Sequence, residues 1–166
     1  MKRIAFIGMP GCGKTTIGRI IAEKLDFRFV DCDEYLEISE GMTISKIFKD
    51  FGEDYFRQKE TAVLDEVTKW DNIIISTGGG VVERQENLKL LINCDAVVFI
   101  NRSIENILKD IDTEKRPLLR QKKDNLYQLY QNRIKNYKAV CSFEVENNSS
   151  VEDVVSKILS EVTKNG

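Results

Sequence analysis

Ile4-Ala5-Phe6-Ile7 runs into Gly8-Met9-Pro10-Gly11-Cys12-Gly13-Lys14-Thr15-Thr16, and an amphipathic stretch from Ile17 to Leu25 follows. Strand, glycine-rich loop and helix, in that order, are the setting of a phosphate-binding P-loop. Glycines let successive backbone N–H groups turn inward with no Cβ in the way. The helix N-terminus adds unpaired donors and a partial positive charge. Lys14 would then reach the β- and γ-phosphates, and the Thr15 hydroxyl would ligate Mg²⁺. The plainer reading is a strand-to-helix turn that carries Gly and Lys by accident. That pattern arises by chance in a chain this long on the order of one time in a hundred, and chance rarely supplies the flanking elements too. Nucleotide binding through Gly11, Cys12, Gly13, Lys14, Thr15 and Thr16 is therefore the expectation.

The chain has 166 residues, 42% hydrophobic and 31% charged, with a formal net charge of −2. This suits one globular domain spanning 1–166, with a full core of its own. No basic field favours nucleic acid or an anionic membrane, so an anionic substrate would need a local cluster of arginines. The apolar run after Met1-Lys2-Arg3 breaks at Gly8, too soon for a signal peptide. No apolar stretch approaches the roughly eighteen residues of a membrane span. A cytoplasmic monomer is expected.

Chemistry is bounded by what is missing. There is no histidine, which removes Ser-His and Cys-His catalysis and histidine metal sites. Cys12, Cys32, Cys94 and Cys141 lie far apart with no C-x-x-C pair, so they read as buried or half-buried thiols. Acid–base work falls to carboxylates, lysine or water.

Apolar runs alternate with helical patterns along the rest of the chain. Strands are expected at Ile4–Ile7, Arg28–Val30, Ile73–Ser76, Ala96–Ile100 and Phe143–Glu146. Helices are expected at Thr15–Leu25, Gln85–Ile92, Ile104–Lys109, about Asn125 to Val140, and Val151–Val162, with a helix-rich stretch from Glu34 to Lys69. Repeated βα units imply an α/β fold in three layers, αβα, with a five-stranded parallel sheet of P-loop NTPase type. Ligands in such folds sit at the carboxyl ends of the strands.

Those strand ends carry the informative residues. Asp31 and Asp33 follow the second strand; in extended chain they would project to one side. Alone they would read as caps of the next helix. Beside a P-loop, one would approach the metal and the other a substrate hydroxyl. Gly78-Gly79-Gly80 follow the third strand, where three glycines suggest close approach of backbone to a ligand anion or another segment. A structural turn would serve as well. No carboxylate ends that strand, where many P-loop proteins place a metal-binding Asp, so Asp31 is the better Mg²⁺ partner.

Arg57 and Glu60 are i, i+3 neighbours that read locally as a surface ion pair. Arg133 likewise reads as surface. The charged run Asp112–Asp124, holding Arg116-Pro117-Leu118-Leu119, reads as a loop, and would suit a mobile lid that brings an arginine to a phosphoryl group.

Together these residues resemble the shikimate kinase family, within the nucleoside-monophosphate-kinase-like P-loop group. The resemblance spans essentially the whole chain. It rests on Gly8-x-x-Gly11-x-Gly13-Lys14-Thr15-Thr16, Asp31-x-Asp33, Phe56-Arg57-x-x-Glu60, Gly78-Gly79-Gly80, Arg116-Pro117-Leu118-Leu119 and Arg133-x-x-x-Tyr137. It implies transfer of a phosphoryl group from MgATP to the 3-hydroxyl of shikimate, on the path to chorismate and the aromatic amino acids. It implies Thr15 and Asp31 on Mg²⁺, Lys14 on the phosphates, and Asp33 on the attacking hydroxyl. It further implies that Arg57, Arg133 and the Gly79–Gly80 backbone hold the substrate carboxylate, with Glu60 orienting Arg57 and Gly78 also at the substrate. The substrate region would be about 32–61. A lid at about 110–124 would bring Arg116 onto the transferring group. The chain departs from some relatives at Lys109 and Asn147-Asn148-Ser149-Ser150, where arginines flank the adenine. Two other readings stay open: a gluconate or nucleotide kinase on the same fold, and a nucleotide-binding regulatory module without transfer activity.

Overall fold

Residue alternation along β1 (Arg3–Ile7) sets the layers. Ala5 and Ile7 point into one apolar cluster, Ile4 and Phe6 into the other. Both faces of the strand are buried, which is why its sequence is a continuous apolar run. In the computed structural model the backbone is described for residues 2–110 and 116–164, with the side chains of 116–122 excluded.

β1 lies at the centre of a five-stranded sheet, flanked by β2 (Arg28–Asp31), β3 (Ile73–Ser76), β4 (Ala96–Asn101) and β5 (Phe143–Glu146) in the order β2-β3-β1-β4-β5. Every pairing is parallel; Phe6 sits opposite Ser76 on one side and Val98 on the other. The expected α/β architecture with five parallel strands is the one observed.

One face packs against α1 (Lys14–Leu25) and α8 (Val151–Lys164), through Ile17, Ile21, Val154 and Ile158. Gly18 lets α1 lie close to the sheet, since a Cβ there would fall 2.8 Å from Phe29 and 3.2 Å from Phe6. The other face carries α2 (Cys32–Glu40), α3 (Ile44–Phe51), α4 (Glu53–Val67), α5 (Gln85–Ile92), α6 (Ile104–Lys109) and α7 (Arg116–Val140). Helix ends follow local chemistry: Thr43 caps α3 by accepting from the Lys46 N–H, and Gly41 ends α2 in a left-handed conformation.

One boundary differs from expectation. The charged run read as a loop through Asp124 is helical from Arg116 onward, as the first part of α7. Pro117 is tolerated in a first helical turn, and the Leu, Arg, Gln and Lys residues after it favour helix. Residues 111–115 of the expected lid, and the side chain of Arg116, lie outside the described residues.

Because β1→β2 and β3→β4 step to opposite sides of the central strand, a crevice opens at the carboxyl end of β1. Residues following β1, β2 and β3 meet there.

Candidate active site

The loop after β1 closes over the start of α1 with Gly8, Gly11 and Gly13 at φ of 149°, 79° and 103°. At those angles a side chain would strain the turn. Lys14 is buried, and its ammonium donates to the carbonyls of Gly8 at 2.7 Å and Met9 at 3.0 Å. Two residues brace the loop from outside. Arg102 donates to the Gly11 carbonyl at 3.0 Å, and Asn147 to the Cys12 carbonyl at 2.8 Å. Asn148 accepts from the Ser103 N–H and the Asn106 amide, tying β5's end to α6. Thr16 and Gly13 open onto a hollow of about 430 Å³ that these residues line.

Thr15, Asp31 and Ser76 come together from three elements. The Thr15 hydroxyl donates to Asp31 Oδ2 at 2.7 Å and lies 3.2 Å from the Ser76 hydroxyl. The parallel register places Asp31 opposite Ser76 at matching strand ends, which explains the meeting. Asp31 Oδ1 accepts from the backbone of Asp33 and Glu34, so it caps α2 with one oxygen and faces Thr15 with the other. The capping and metal-side readings of Asp31 are compatible. Asp31 and Asp33 are not both in extended chain: α2 begins at Cys32, and Asp33 stands in its first turn.

Three oxygen donors fit a hard cation such as Mg²⁺, which takes one or two carboxylates and leaves room for substrate phosphates and water. Among the described residues no group of three or more His, Cys, Asp or Glu could hold a metal by itself. A Mg²⁺ ion here would depend on the nucleotide for much of its shell.

Opposite this side stand two arginines. Arg57, on α4, pairs with Glu60 at 2.9 Å and with Glu83 at 2.8 Å. Arg133, on α7, donates through Nε to the same Glu83 at 3.2 Å. Both differ from the surface positions expected locally: the Arg57 side chain is 12% exposed, Glu60 4% and Arg133 7%. Helical spacing told which residues are neighbours, but not that the two helices bring their arginines to one carboxylate.

The three glycines separate these groups. A Cβ on Gly78 would fall 2.8 Å from Asp33 and 3.1 Å from Glu60. On Gly79 it would fall 2.6 Å from the Pro10 ring, and on Gly80 2.5 Å from the Arg57 guanidinium. Each glycine makes room for a different side chain, so close approach is the reason for the run. Tyr137, fully buried and stacked on Phe99 at 5.0 Å, donates its hydroxyl to the Gly79 carbonyl.

Burial raises the Asp33 carboxyl above its ordinary value; the Asp31 charge adds to this and the Lys14 ammonium opposes it. Glu60 is also raised by burial, against the lowering pull of Arg57. Burial of the Arg57 guanidinium acts to lower its pKa, but Glu60, Glu83 and Glu53 outweigh it, and it stays charged. Free cysteines are buried or half-buried, with Cys12 under the loop and Cys32 at the start of α2.

Ser76, Glu83, Arg102 and Asn147 were missed as site residues. Ser76 ends a strand, and Arg102 and Asn147 each directly follow one, which was the available signal; nothing local marks Glu83.

A family model described as shikimate kinase matches residues 10–163. A shikimate kinase of Clostridium botulinum (strain Eklund 17B / Type B) is 44% identical over 163 residues, covering 98% of each chain. A solved shikimate kinase from Acinetobacter baumannii in complex with shikimate is similar at a TM-score of 0.91 and 34% identity, over 99% of this chain and 94% of that one. Another, from Aquifex aeolicus, reaches a TM-score of 0.86 at 35% identity, over 98% and 97%. A P-loop facing a glycine-spaced arginine pair, on a fold shared end to end with these proteins, means that the chain belongs to the shikimate kinase family.

Proposed function

We propose that this cleft transfers the γ-phosphoryl group of ATP to the 3-hydroxyl of shikimate. One observation carries the reading. Asp33 stands between the Thr15–Asp31 side and the Arg57–Arg133 side, next to Gly78 and within the field of Lys14.

The loop amides and Lys14 bind the phosphates, Lys14 exchanging the Gly8 and Met9 carbonyls for phosphate oxygens. Thr15 and Asp31 would hold Mg²⁺, which when bound would supply neutralisation of the developing phosphate charge. Arg57 and Arg133 hold the substrate carboxylate, because a guanidinium fork matches two carboxylate oxygens. Glu60 orients Arg57 from its buried side. The hydroxyl oxygen attacks the γ-phosphorus in line as the bond to the bridging oxygen breaks, and ADP leaves. Asp33 accepts the hydroxyl proton, a task its raised pKa suits. A loose phosphoryl transition state asks for positioning and charge more than for a strong base, so the lack of histidine is no obstacle.

The acidic protein thus meets an anionic acid through two converging arginines. On the same reading it works as a cytoplasmic monomer with two small-molecule substrates; among the described residues no helix is long and apolar enough to cross a membrane. Purified protein with MgATP should phosphorylate shikimate and leave gluconate and nucleoside monophosphates untouched. Turnover of those alternatives at comparable kcat/KM, or ATP binding with no acceptor turnover, would overturn the assignment.

A further inference from the structure

Glu83 takes no part in the transfer just described, yet it holds both arginines of the acid side. Its Oε2 lies 2.8 Å from Arg57 Nη2 and its Oε1 3.2 Å from Arg133 Nε. One carboxylate bridging two guanidiniums has the charge and the acceptor set of a ligand carboxylate in the same place.

Its backbone is fastened on several sides. The Val81–Glu83 turn is closed by the Glu83 N–H on the Gly80 carbonyl at 3.1 Å. Asn87 donates to the Val81 carbonyl and Asn136 to the Val82 carbonyl, each at 2.9 Å. The side chain, in contrast, is 35% exposed while that of Glu60 is 4% exposed. Glu60 is thus a fixed inner partner of Arg57, and Glu83 an outer one that can turn away.

Charge balance gives the contact a consequence. Arg57 and Arg133 are matched by Glu60 and Glu83 before any substrate arrives, with the exposed Glu53 a further 3.6 Å partner of Arg57. A ligand carboxylate added to that balanced cluster would bring an unpaired negative charge into a half-buried cleft, which is unfavourable. Turning Glu83 out to water frees one guanidinium edge from each arginine for the ligand.

We infer that Glu83 is a specificity-determining residue: an internal carboxylate that occupies the arginine pair and must be displaced by the acid substrate. It lowers affinity for that substrate, and it keeps the arginines from collecting simple anions. The inference rests on the arginine pair being the carboxylate site.

The test compares wild type, Glu83→Gln and Glu83→Leu, with shikimate and with its uncharged methyl ester, and with inorganic sulfate as a competing anion. Both variants should lower the KM for shikimate about tenfold, the scale of one charge-assisted contact. kcat should move less than this KM, the KM for the ester should change little, and sulfate should inhibit the variants more strongly than wild type. A raised shikimate KM in both variants would make Glu83 a brace for the arginines and overturn the proposal. Unchanged sulfate inhibition with an unchanged KM would also overturn it. Wild type that binds acid and ester equally well would instead remove the arginine site itself, and the role of Glu83 with it.

Discussion

The Thr15 hydroxyl donates to Asp31 at 2.7 Å, joining the first turn of α1 to the end of β2 across the crevice. Ser76, from the strand between β1 and β2, lies 3.2 Å from the same hydroxyl. The carboxylate missing from the end of β3 is thus supplied by the neighbouring strand, one sheet position away.

Asp31→Asn retains a cap for α2, because an Asn oxygen still accepts from the backbone. It removes the charge that faces Thr15. The Mg²⁺ concentration for half-maximal activity should rise about 10- to 100-fold, while ADP binding measured by calorimetry without metal changes little. An unchanged Mg²⁺ requirement would take Asp31 off the metal side.

Asp33→Asn should lower kcat about 10²- to 10⁴-fold, the range for a lost general base. Its effect on stability has the opposite sign. Burial raises the Asp33 pKa from the ordinary 3.8, so the folded protein holds that proton more tightly than the unfolded chain does. The stabilisation is full below the ordinary value and is lost as pH rises through the raised one. An amide carries no such loss, so the variant's Tm should exceed that of wild type at pH 8, with the gap closing toward pH 4. A gap that does not change with pH would contradict the raised pKa.

Gly79→Ala and Gly80→Ala should fail differently. The added methyl at position 80 meets the far end of Arg57, a flexible side chain, at 2.5 Å. At position 79 it meets the Pro10 ring within the P-loop at 2.6 Å. Gly80→Ala should raise the shikimate KM and leave the KM for ATP nearly alone. Gly79→Ala should raise both. Steady-state kinetics with each substrate varied in turn distinguishes them.

Tyr137→Phe leaves the stack on Phe99 but removes the hydroxyl that the Gly79 carbonyl accepts from. A part-buried carbonyl left without its donor costs about 1 kcal/mol, the low end of the range for an orphaned group. Urea unfolding should show a lower midpoint with an unchanged slope, the product of slope and midpoint shift giving that loss. A neutral result would mean that the carbonyl finds water instead.

Elements were legible where one segment decides its own structure. The apolar runs of β1, β3 and β4 and the glycine-rich loop before α1 needed no partner to be recognised, because strand periodicity and the backbone demands of anion binding are local. The start of α7 was misread because composition weighed charge over helix propensity, although Pro117 and the leucines after it suit a first helical turn. Arg57, Glu60 and Arg133 looked like surface residues because burial is a property of what packs on the other side.

From the chain alone came the donor half of the site: a strand, a phosphate loop and a helix, with Lys14 and Thr15 at fixed offsets. Those positions follow from hydrogen-bonding and steric rules that act within a few residues. The residues proposed for the acceptor half came together only when the fold brought β2, β3, α4 and α7 to one end of the sheet. Distances such as Arg57 to Glu83 and Arg133 to Glu83 join residues far apart in sequence, and no local rule sets them. Strand order and helix packing set them, because the buried apolar faces must be covered before polar side chains can meet above them.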